Sequence, residues 1–203
     1  MKILDKATLL KVSVGSGVIG VFIALLSFYI KVDINNLKYN LDQSTLILDT
    51  KGVLLDEIHG EEHRKIVPLI QIDKDIQQAV VAIEDKNFYK HNGISVSGIG
   101  RALIKNIKTR STSEGASTIT MQLAKNLSNN VEERTLSNKI EEAFYALKLE
   151  QSFSKEQILE MYLNTIYWGN NTYGIETATE TYFGKKAVDV SVSEAAILAA
   201  MIQ

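Results

Sequence analysis

The feature that most constrains this chain is an uncharged run over residues 12–30, VSVGSGVIGVFIALLSFYI. A helix of these nineteen residues can cross a hydrocarbon core about 30 Å thick. Three lysines and one aspartate precede the run, and positive residues favour the cytoplasmic side. The pattern predicts one membrane-spanning helix over 12–30, with residues 1–11 in the cytoplasm and the chain after Lys31 outside. A cleaved signal peptide is the alternative, but the run exceeds a typical signal core and no small-residue cleavage pattern follows Ile30.

Composition limits what the remainder can be. The 203 residues allow one domain of roughly 150 to 170 residues plus an appendage. Hydrophobic residues make up 45% and the formal net charge is -2, which argues against a disordered chain or a nucleic-acid-binding protein. The absence of cysteine excludes thiolate metal sites, a cysteine nucleophile and disulfides. A single proline among many strong helix formers favours a mainly α-helical domain.

The hydrophobic period changes after the predicted span. Residues 31–43 are polar and are predicted to form a tether to a domain over 44–203. Two β-branched or aliphatic runs, 45–49 and 53–58, flank Thr50-Lys51-Gly52 and predict a small β-hairpin.

A histidine pair follows the predicted hairpin. His59 and His63 lie four residues apart among acids, a spacing that some metal sites use. No further ligands are spaced to complete a metal shell. A solvated turn is therefore the preferred interpretation.

Residues 79–93, AVVAIEDKNFYKHNG, carry the first candidate functional side chain. The apolar residues of the preceding helix recur at helical spacing: Ile76, Ala79, Val80 and Ile83. Asp73 or Asp75 can cap this helix, and Glu84 lies on the flank of its apolar stripe. A carboxylate at an apolar boundary has its charged form disfavoured, as a general base requires. Glu84 is a candidate general base, and the alternative is a boundary residue that reaches solvent or caps a backbone.

After Gly93 the chain becomes basic and then rich in small residues. The cations of the basic stretch are Arg101, Lys105, Lys108 and Arg110. They alternate with apolar residues at helical spacing, which suits lipid headgroups or a lipid phosphate; a solvated helix face is the alternative. Residues 113–126, SEGASTITMQLAKN, are predicted as a loop entering a helix, where free N–H groups favour anions, or as plain helix packing.

The predicted helix over 136–150 carries a second unusual carboxylate. One apolar stripe contains Leu136, Ile140, Ala143, Phe144 and Leu147, and both faces of the helix are predicted to be buried. The opposite side contains Tyr145, Ala146 and Leu149 together with Glu142. A buried acid is costly unless paired, and Lys139 is placed to pair with Glu142 at i, i+3 spacing. A structural ion pair and a carboxylate lining a cleft, with Lys125 and Arg134 nearby, both fit this pattern.

The remaining helices are predicted to be scaffold. Two capping-box patterns mark helix starts: Ser154 with Gln157, and Ser191 with Glu194. A shorter helix over 174–183 is predicted to end at Gly184. The last apolar helix runs into Gln203, so we expect the domain to be incomplete at its C-terminus.

Five segments occur in the order and approximate spacing of the five motifs of peptidoglycan glycosyltransferases: EDKNFYKHNG, EGASTITMQ, NKIEE, KEQILEMYLN and GIETATETYFGK. The chain resembles this family from about residue 83 to residue 203. The resemblance implies a mainly α, lysozyme-like two-lobed domain, to which the residue patterns add a small N-terminal β-hairpin and the preceding transmembrane helix. It also implies transfer of a growing glycan from undecaprenyl pyrophosphate onto lipid II, forming a β-1,4 bond.

Site residues follow from the resemblance. Glu84 matches the acid assigned to deprotonation of the acceptor 4-hydroxyl, and Glu142 matches the second acid, assigned to the donor pyrophosphate. Cations that match phosphate-binding positions are Lys125, Arg134 and Lys139. Further substrate-binding candidates are Asp85, Phe88, His91, Gly93, Ser117, Thr118 and Gln122. Two positions depart from the family pattern: Asn138 replaces a usual arginine and so offers no charge to phosphate, and Met121 replaces a frequent glutamine.

We therefore expect a single-pass bacterial cell-membrane enzyme with an extracytoplasmic catalytic domain, either monofunctional or the N-terminal part of a bifunctional penicillin-binding protein. Its expected partners are lipid II, the nascent glycan strand, the membrane, transpeptidases and other cell-wall synthesis proteins, without nucleic acid. No metal ligands are predicted, and the sequence leaves open whether magnesium or manganese takes part. A catalytically silent membrane scaffold, favoured by Asn138 and the short C-terminus, is one alternative. A lysozyme-like glycan hydrolase is another, although the cations better suit a pyrophosphate leaving group.

Overall fold

The structure is a computed structural model of the chain. It describes residues 20, 23, 26, 27, 29, 30, 32–34, 37, 45–51, 54–58, 63–98, 117–128 and 135–202. The basic stretch 101–110, His59 and Arg134 lie outside the described residues, as does most of the predicted membrane span. Within the described segments, none of the helices has the length and apolarity needed to cross a bilayer.

Two small sheets lie in the described part of the chain. Strand β1 (Thr45–Leu48) pairs antiparallel with β2 (Leu54–Ile58), which confirms the predicted hairpin. Strand β3 (His63–Arg64) pairs in parallel with β4 (Thr172–Tyr173). This second pairing fastens the segment before the first helix to a distant part of the chain.

Helices dominate the described residues, which confirms the prediction of a mainly α-helical domain. The α-helices are α1 (Lys74–Glu84), α2 (Ile119–Leu127), α3 (Leu136–Ser152), α4 (Lys155–Thr165), α5 (Ile175–Phe183) and α6 (Val192–Met201). Short 3-10 turns cover Leu69–Gln71 and Phe88–Lys90.

Local side-chain chemistry sets the helix ends as the sequence predicts. The Asp73 side chain accepts a hydrogen bond from the Asp75 backbone N–H and caps α1. Both predicted capping boxes are present, at the starts of α4 and α6. Gly184 ends α5 in the left-handed region at φ 64°, where glycine avoids the steric cost of a Cβ.

The core forms around α2, which packs against α3 and α4, while α1 packs against α6. Six of the nine residues of α2 are buried, so the helix contributes to the core on nearly all sides. Phe88, Tyr162 and Trp168 are the bulkiest fully buried side chains. Burial of such aromatic surface supplies much of the hydrophobic stabilisation of a domain of this size. Helices that carry different predicted motifs are thereby held against one another.

The structure corrects one predicted apolar face and ranks two others. Ile83 was placed in the buried stripe of α1, yet 56% of it is exposed, because the helix packs through Ile76 and Val80 and ends beside a cleft. On α3, the face that carries Glu142 is the more deeply buried one. Its Tyr145, Ala146 and Leu149 are buried, whereas the residues described on the other apolar stripe are only half-buried.

A buried asparagine connects the start of the described domain to α4. Asn164 is fully buried, and its side-chain Nδ2 donates to the Val67 and Glu160 carbonyls while its Oδ1 accepts from the Val67 N–H. The backbone at Val67, which follows β3, gains hydrogen-bond partners in this way outside a sheet. A buried amide satisfied by three hydrogen bonds fixes one arrangement of the two segments.

Candidate active site

A cleft with a cavity volume of about 220 Å³ lies at the C-terminal end of α1. Its lining includes Ile83, Glu84, Asp85, Ser117 and Thr118. Glu84 is the last residue of α1, and Thr118 is the N-cap of α2. The candidate base of the first motif therefore shares a cavity with hydroxyl side chains of the second motif.

Two hydrogen bonds in series hold the Glu84 carboxylate. Gln122 Nε2 on α2 donates to Glu84 Oε2 over 2.7 Å, and the Tyr162 hydroxyl on α4 donates to Gln122 Oε1 over 2.9 Å. Tyr162 is fully buried, and its desolvation raises the pKa of its phenol, with the charges of Glu84 and Asp85 adding to the effect. The Tyr162 hydroxyl therefore stays protonated and acts as a donor. Residues from three helices thus converge on one carboxylate.

Asp85 joins the loop after α1 to the start of α2. Its Oδ2 accepts a hydrogen bond from His91 Nε2 over 2.8 Å and from the Ile119 backbone N–H over 3.2 Å. Ile119 is the first residue of α2, where backbone N–H groups lack partners inside the helix. Asp85 is buried, so its charge is compensated by these contacts rather than by water. This pairing fixes the direction in which the chain leaves Glu84.

Gly93 closes the same loop against α3. Its φ is +85°, and a Cβ at this position would lie 2.8 Å from the carbonyl oxygen of Ala146, so no other residue fits without displacement. The Thr118 hydroxyl donates to the Gly93 carbonyl over 2.5 Å and accepts from the Met121 N–H. Phe88, which belongs to this loop, is fully buried. Direct contact of Phe88, His91 and Gly93 with a substrate remains a prediction.

A cation and a carboxylate of α3 adjoin the cleft through Ser117. Lys139 Nζ donates to Ser117 Oγ over 2.7 Å and to Glu142 Oε2 over 2.5 Å. The side chain of Lys139 is 45% exposed and that of Glu142 is 14% exposed, so the ammonium remains accessible while the carboxylate is largely covered. The predicted i, i+3 pair is confirmed. Glu142 fixes the ammonium beside a hydroxyl that lines the cleft.

The other predicted cations are placed less completely. Lys125 lies in the last turn of α2, three residues beyond Gln122 and therefore on the same side of the helix. Arg134 belongs to the stretch outside the described residues. The described part of the predicted site thus contains two carboxylates that line the cleft, Glu84 and Asp85, and one ammonium joined to the cleft through Ser117, that of Lys139.

Sequence reasoning missed Tyr162 as part of this site. Tyr162 falls in an apolar run of α4 and was interpreted as scaffold. Its phenol was a usable signal, because a buried tyrosine hydroxyl almost always has a hydrogen-bond partner. The partner, Gln122, lies 40 residues away along the chain, so the sequence alone could not identify it.

The site contains a group that can accept a proton, the Glu84 carboxylate, and a group that can bind an anion, the Lys139 ammonium. Glu84 Oε2 is engaged by Gln122, while Glu84 Oε1 has no hydrogen-bond partner among the described residues. An ionised carboxylate can accept further hydrogen bonds and, with them, a proton. The half-exposed ammonium of Lys139 can bind a phosphate oxygen by a charge-assisted hydrogen bond.

Comparisons with known proteins identify the family of the chain. Residues 51–203 match the transglycosylase family model. The chain is 38% identical over 190 residues to penicillin-binding protein 1F of Bacillus subtilis (strain 168), an alignment that covers 91% of this chain and 26% of that protein. It is 45% identical over 157 residues to penicillin-binding protein 2D of the same strain, an alignment that covers 77% of this chain and 23% of that protein. It is 42% identical over 191 residues to penicillin-binding protein 1A of Aquifex aeolicus (strain VF5), an alignment that covers 91% of this chain and 26% of that protein.

The chain spans about a quarter of the length of these relatives. The matched region nevertheless includes every residue that lines the cleft, and also Gln122 and Tyr162, which hold Glu84. Agreement between the family match and the five ordered sequence motifs leaves one assignment. The chain belongs to the transglycosylase family, the peptidoglycan glycosyltransferases that its motifs resemble.

Proposed function

We propose that this protein is a peptidoglycan glycosyltransferase that polymerises lipid II, with Glu84 as the general base. The observation that carries the proposal is the position of Glu84, on a cleft that Ser117 connects to the Lys139 ammonium. Glycosyl transfer from a pyrophosphate needs both a proton acceptor and a cation for the leaving group. The cleft has the two groups on different helices, α1 and α3.

The proton acceptor acts on the acceptor substrate. The 4-hydroxyl oxygen of lipid II forms a bond to the anomeric carbon of the donor glycan, and its proton passes to Glu84. A sugar hydroxyl is a poor nucleophile at neutral pH, so removal of its proton in the transition state lowers the barrier. Gln122 keeps the carboxylate in one position, so little reorganisation is needed at the moment of reaction.

The cations act on the leaving group. As the new bond forms, the bond between the anomeric carbon and the pyrophosphate oxygen breaks, and undecaprenyl pyrophosphate leaves with an added negative charge. Lys139 faces that charge while Glu142 and Ser117 hold it in place, and Lys125 and Arg134 add positive charge. Among the described residues, no group of three His, Asp or Glu side chains is arranged to hold a metal, and we derive no step through one.

The finer features belong to the same proposal. They are a lysozyme-like two-lobed fold, a membrane anchor over 12–30, an extracytoplasmic domain over 44–203, and partnership with transpeptidases and other cell-wall synthesis proteins. They are supported by the resemblance of the motifs and by the names of the relatives, which are penicillin-binding proteins.

One assay separates the proposed enzyme from its two rivals. The purified full chain is incubated with lipid II in detergent, and in parallel with preformed glycan strands, and the products are separated by length. We expect long glycan polymer from lipid II. If folded protein binds lipid II but makes no product, the scaffold is favoured. Shortening of preformed glycan would favour a hydrolase.

A further inference from the structure

The buried tyrosine of α4 has a connection to the cleft that its scaffold position does not require. Tyr162 is fully buried in the core, yet its hydroxyl lies 2.9 Å from Gln122 Oε1 rather than bonding to a carbonyl of its own helix. Gln122 then reaches Glu84 over 2.7 Å. A core tyrosine and a cleft carboxylate are thereby joined through one amide.

The amide in the middle of this chain can adopt two orientations. A glutamine side chain presents an oxygen acceptor and an NH₂ donor of nearly the same shape, and rotation by half a turn exchanges them. The exchanged orientation would place the Gln122 oxygen against the Glu84 carboxylate, where two acceptors repel. In the exchanged orientation the Tyr162 hydroxyl would face the Gln122 NH₂ and its own proton would lose its acceptor, so the hydroxyl favours the productive orientation, in which Gln122 Oε1 accepts that proton.

Burial makes this preference effective. Desolvation keeps the Tyr162 phenol protonated by raising its pKa, so the hydroxyl keeps a proton to donate. Without the hydroxyl, the Gln122 oxygen would face a buried ring and lose its partner, which is costly in a water-poor environment. Gln122 would then turn away or exchange its ends, and Glu84 would lose the contact that holds it.

We propose that Tyr162 is a positioning residue for the reaction: through Gln122 it fixes the Glu84 carboxylate at the cleft. The inference rests on the proposed function for its catalytic consequence, although the orientation of Gln122 can be measured without turnover. Tyr162 does not line the cleft and acts on the substrate only through the other two residues.

The kinetic test compares Tyr162→Phe with Tyr182→Phe in the full chain. The Tyr182 hydroxyl donates a hydrogen bond of 2.8 Å to the Trp168 carbonyl, and neither residue lines the cleft. Tyr182→Phe therefore removes one phenolic hydrogen bond, as Tyr162→Phe does. In Tyr162→Phe we expect kcat for lipid II polymerisation to fall by at least about tenfold, because a misplaced catalytic group lowers the rate while substrate binding survives. KM should stay within about twofold, and Tyr182→Phe should keep wild-type kcat. Equal losses in the two variants, or a loss in KM alone, would overturn the inference.

A double variant tests whether Tyr162 acts through Gln122. Gln122→Met keeps the side-chain length and removes both hydrogen bonds. If Tyr162 acts only through Gln122, adding Tyr162→Phe to Gln122→Met lowers kcat no further, since the two losses are not additive. Multiplied losses would show an independent structural role for Tyr162 and contradict the inference.

An NMR measurement separates this inference from the proposed function. In protein labelled with ¹⁵N-glutamine, the Gln122 NH₂ signals are the ones missing from Gln122→Met. Their hydrogen exchange should be at least about tenfold faster in Tyr162→Phe than in wild type, because a Gln122 amide released from Tyr162 also loses the hydrogen bond from its NH₂ to Glu84, and it should be unchanged in Tyr182→Phe. If wild type makes no polymer, the proposed function fails and the exchange rates still decide the positioning role. Unchanged exchange in Tyr162→Phe would reject the inference even in an active enzyme.

Discussion

Individual residues around the cleft are held by partners from other parts of the chain. Gln122 holds Glu84, Ile119 and His91 hold Asp85, and Ser117 holds Lys139. Sequence reasoning could place Glu84 beside an apolar face and pair Lys139 with Glu142, because both relations lie within one helix. It could not pair residues of different helices, since their contact depends on how the helices pack.

Lys139 provides a prediction at this scale. Lys139→Ala should lower polymerisation by at least about tenfold, because the charge it faces develops only as the pyrophosphate leaves. Its half-exposed ion pair should contribute less than about 1 kcal/mol to the free energy of unfolding. Polymerisation rate and thermal unfolding are measured on the same protein preparations.

Lys185→Ala is the matched control for Lys139→Ala. Lys185 is 42% exposed and pairs with Glu194 over 2.8 Å, so the change removes a similar ion pair whose residues do not line the cleft. Polymerisation should be unaffected in this variant. If Lys139→Ala lost stability and activity in equal proportion, the Lys139–Glu142 pair would be a structural feature instead.

Among the secondary-structure elements, helix ends were predicted better than helix faces. The caps of α1, α4 and α6 depend on residues only two or three positions apart, so the sequence contains the whole interaction. The faces of α3 could not be ranked because both are apolar, and the deeper one was decided by packing against α2. The parallel pairing of β3 with β4 left no sequence signal, because each strand has only two residues.

The cap of α6 yields a pH-dependent prediction. Hydrogen bonds from Lys185 and from Ser191 lower the pKa of Glu194 from 4.5 to about 2. A carboxyl group whose folded pKa is depressed stabilises the fold above its unfolded value and loses this contribution as pH falls from about 4.5 toward 2. Glu194→Gln keeps the capping hydrogen bond but removes the charge. Its melting temperature should lie below that of wild type at pH 7, and the difference should shrink as pH falls through this range.

Glu156→Gln provides the comparison for the α6 variant. Glu156 lies in the first turn of α4 and has no hydrogen-bond partner among the described residues. Its substitution should change the melting temperature less at pH 7. A difference for Glu194→Gln that stayed constant from pH 7 to pH 3 would mean that the charge does not stabilise α6.

At the scale of the whole molecule, the position of a helix in the sequence does not show which other helices it contacts. Helix α2 lies between α1 and α3 in sequence, and it becomes the centre on which α3 and α4 pack. The mainly helical class and the family followed from composition and from five ordered motifs, whereas the cleft required helices that carry different motifs to meet. Site residues from separate motifs could be assigned by resemblance, but their hydrogen bonds could be read only from the folded chain.

Topology gives a prediction for the intact molecule. Because positive residues precede the uncharged run, protease added outside intact protoplasts should digest residues 31–203. A cytoplasmic protein followed in the same samples should remain whole until lysis. Protection of the domain over 44–203 until lysis would show the opposite orientation.

The account depends most on Glu84 as the base, and one substitution tests this directly. Glu84→Gln keeps the size of the side chain and can still accept the hydrogen bond from Gln122, but it cannot take up a proton. Polymerisation rate and lipid II affinity are measured together, with Glu180→Gln, which removes a carboxylate paired with Lys65, as the control. We predict that the polymerisation rate of Glu84→Gln falls by at least about a hundredfold while lipid II binding and folding are retained. Polymerisation at a near-normal rate would contradict the assignment of Glu84 as the base, and loss of lipid II binding would reassign it to substrate positioning.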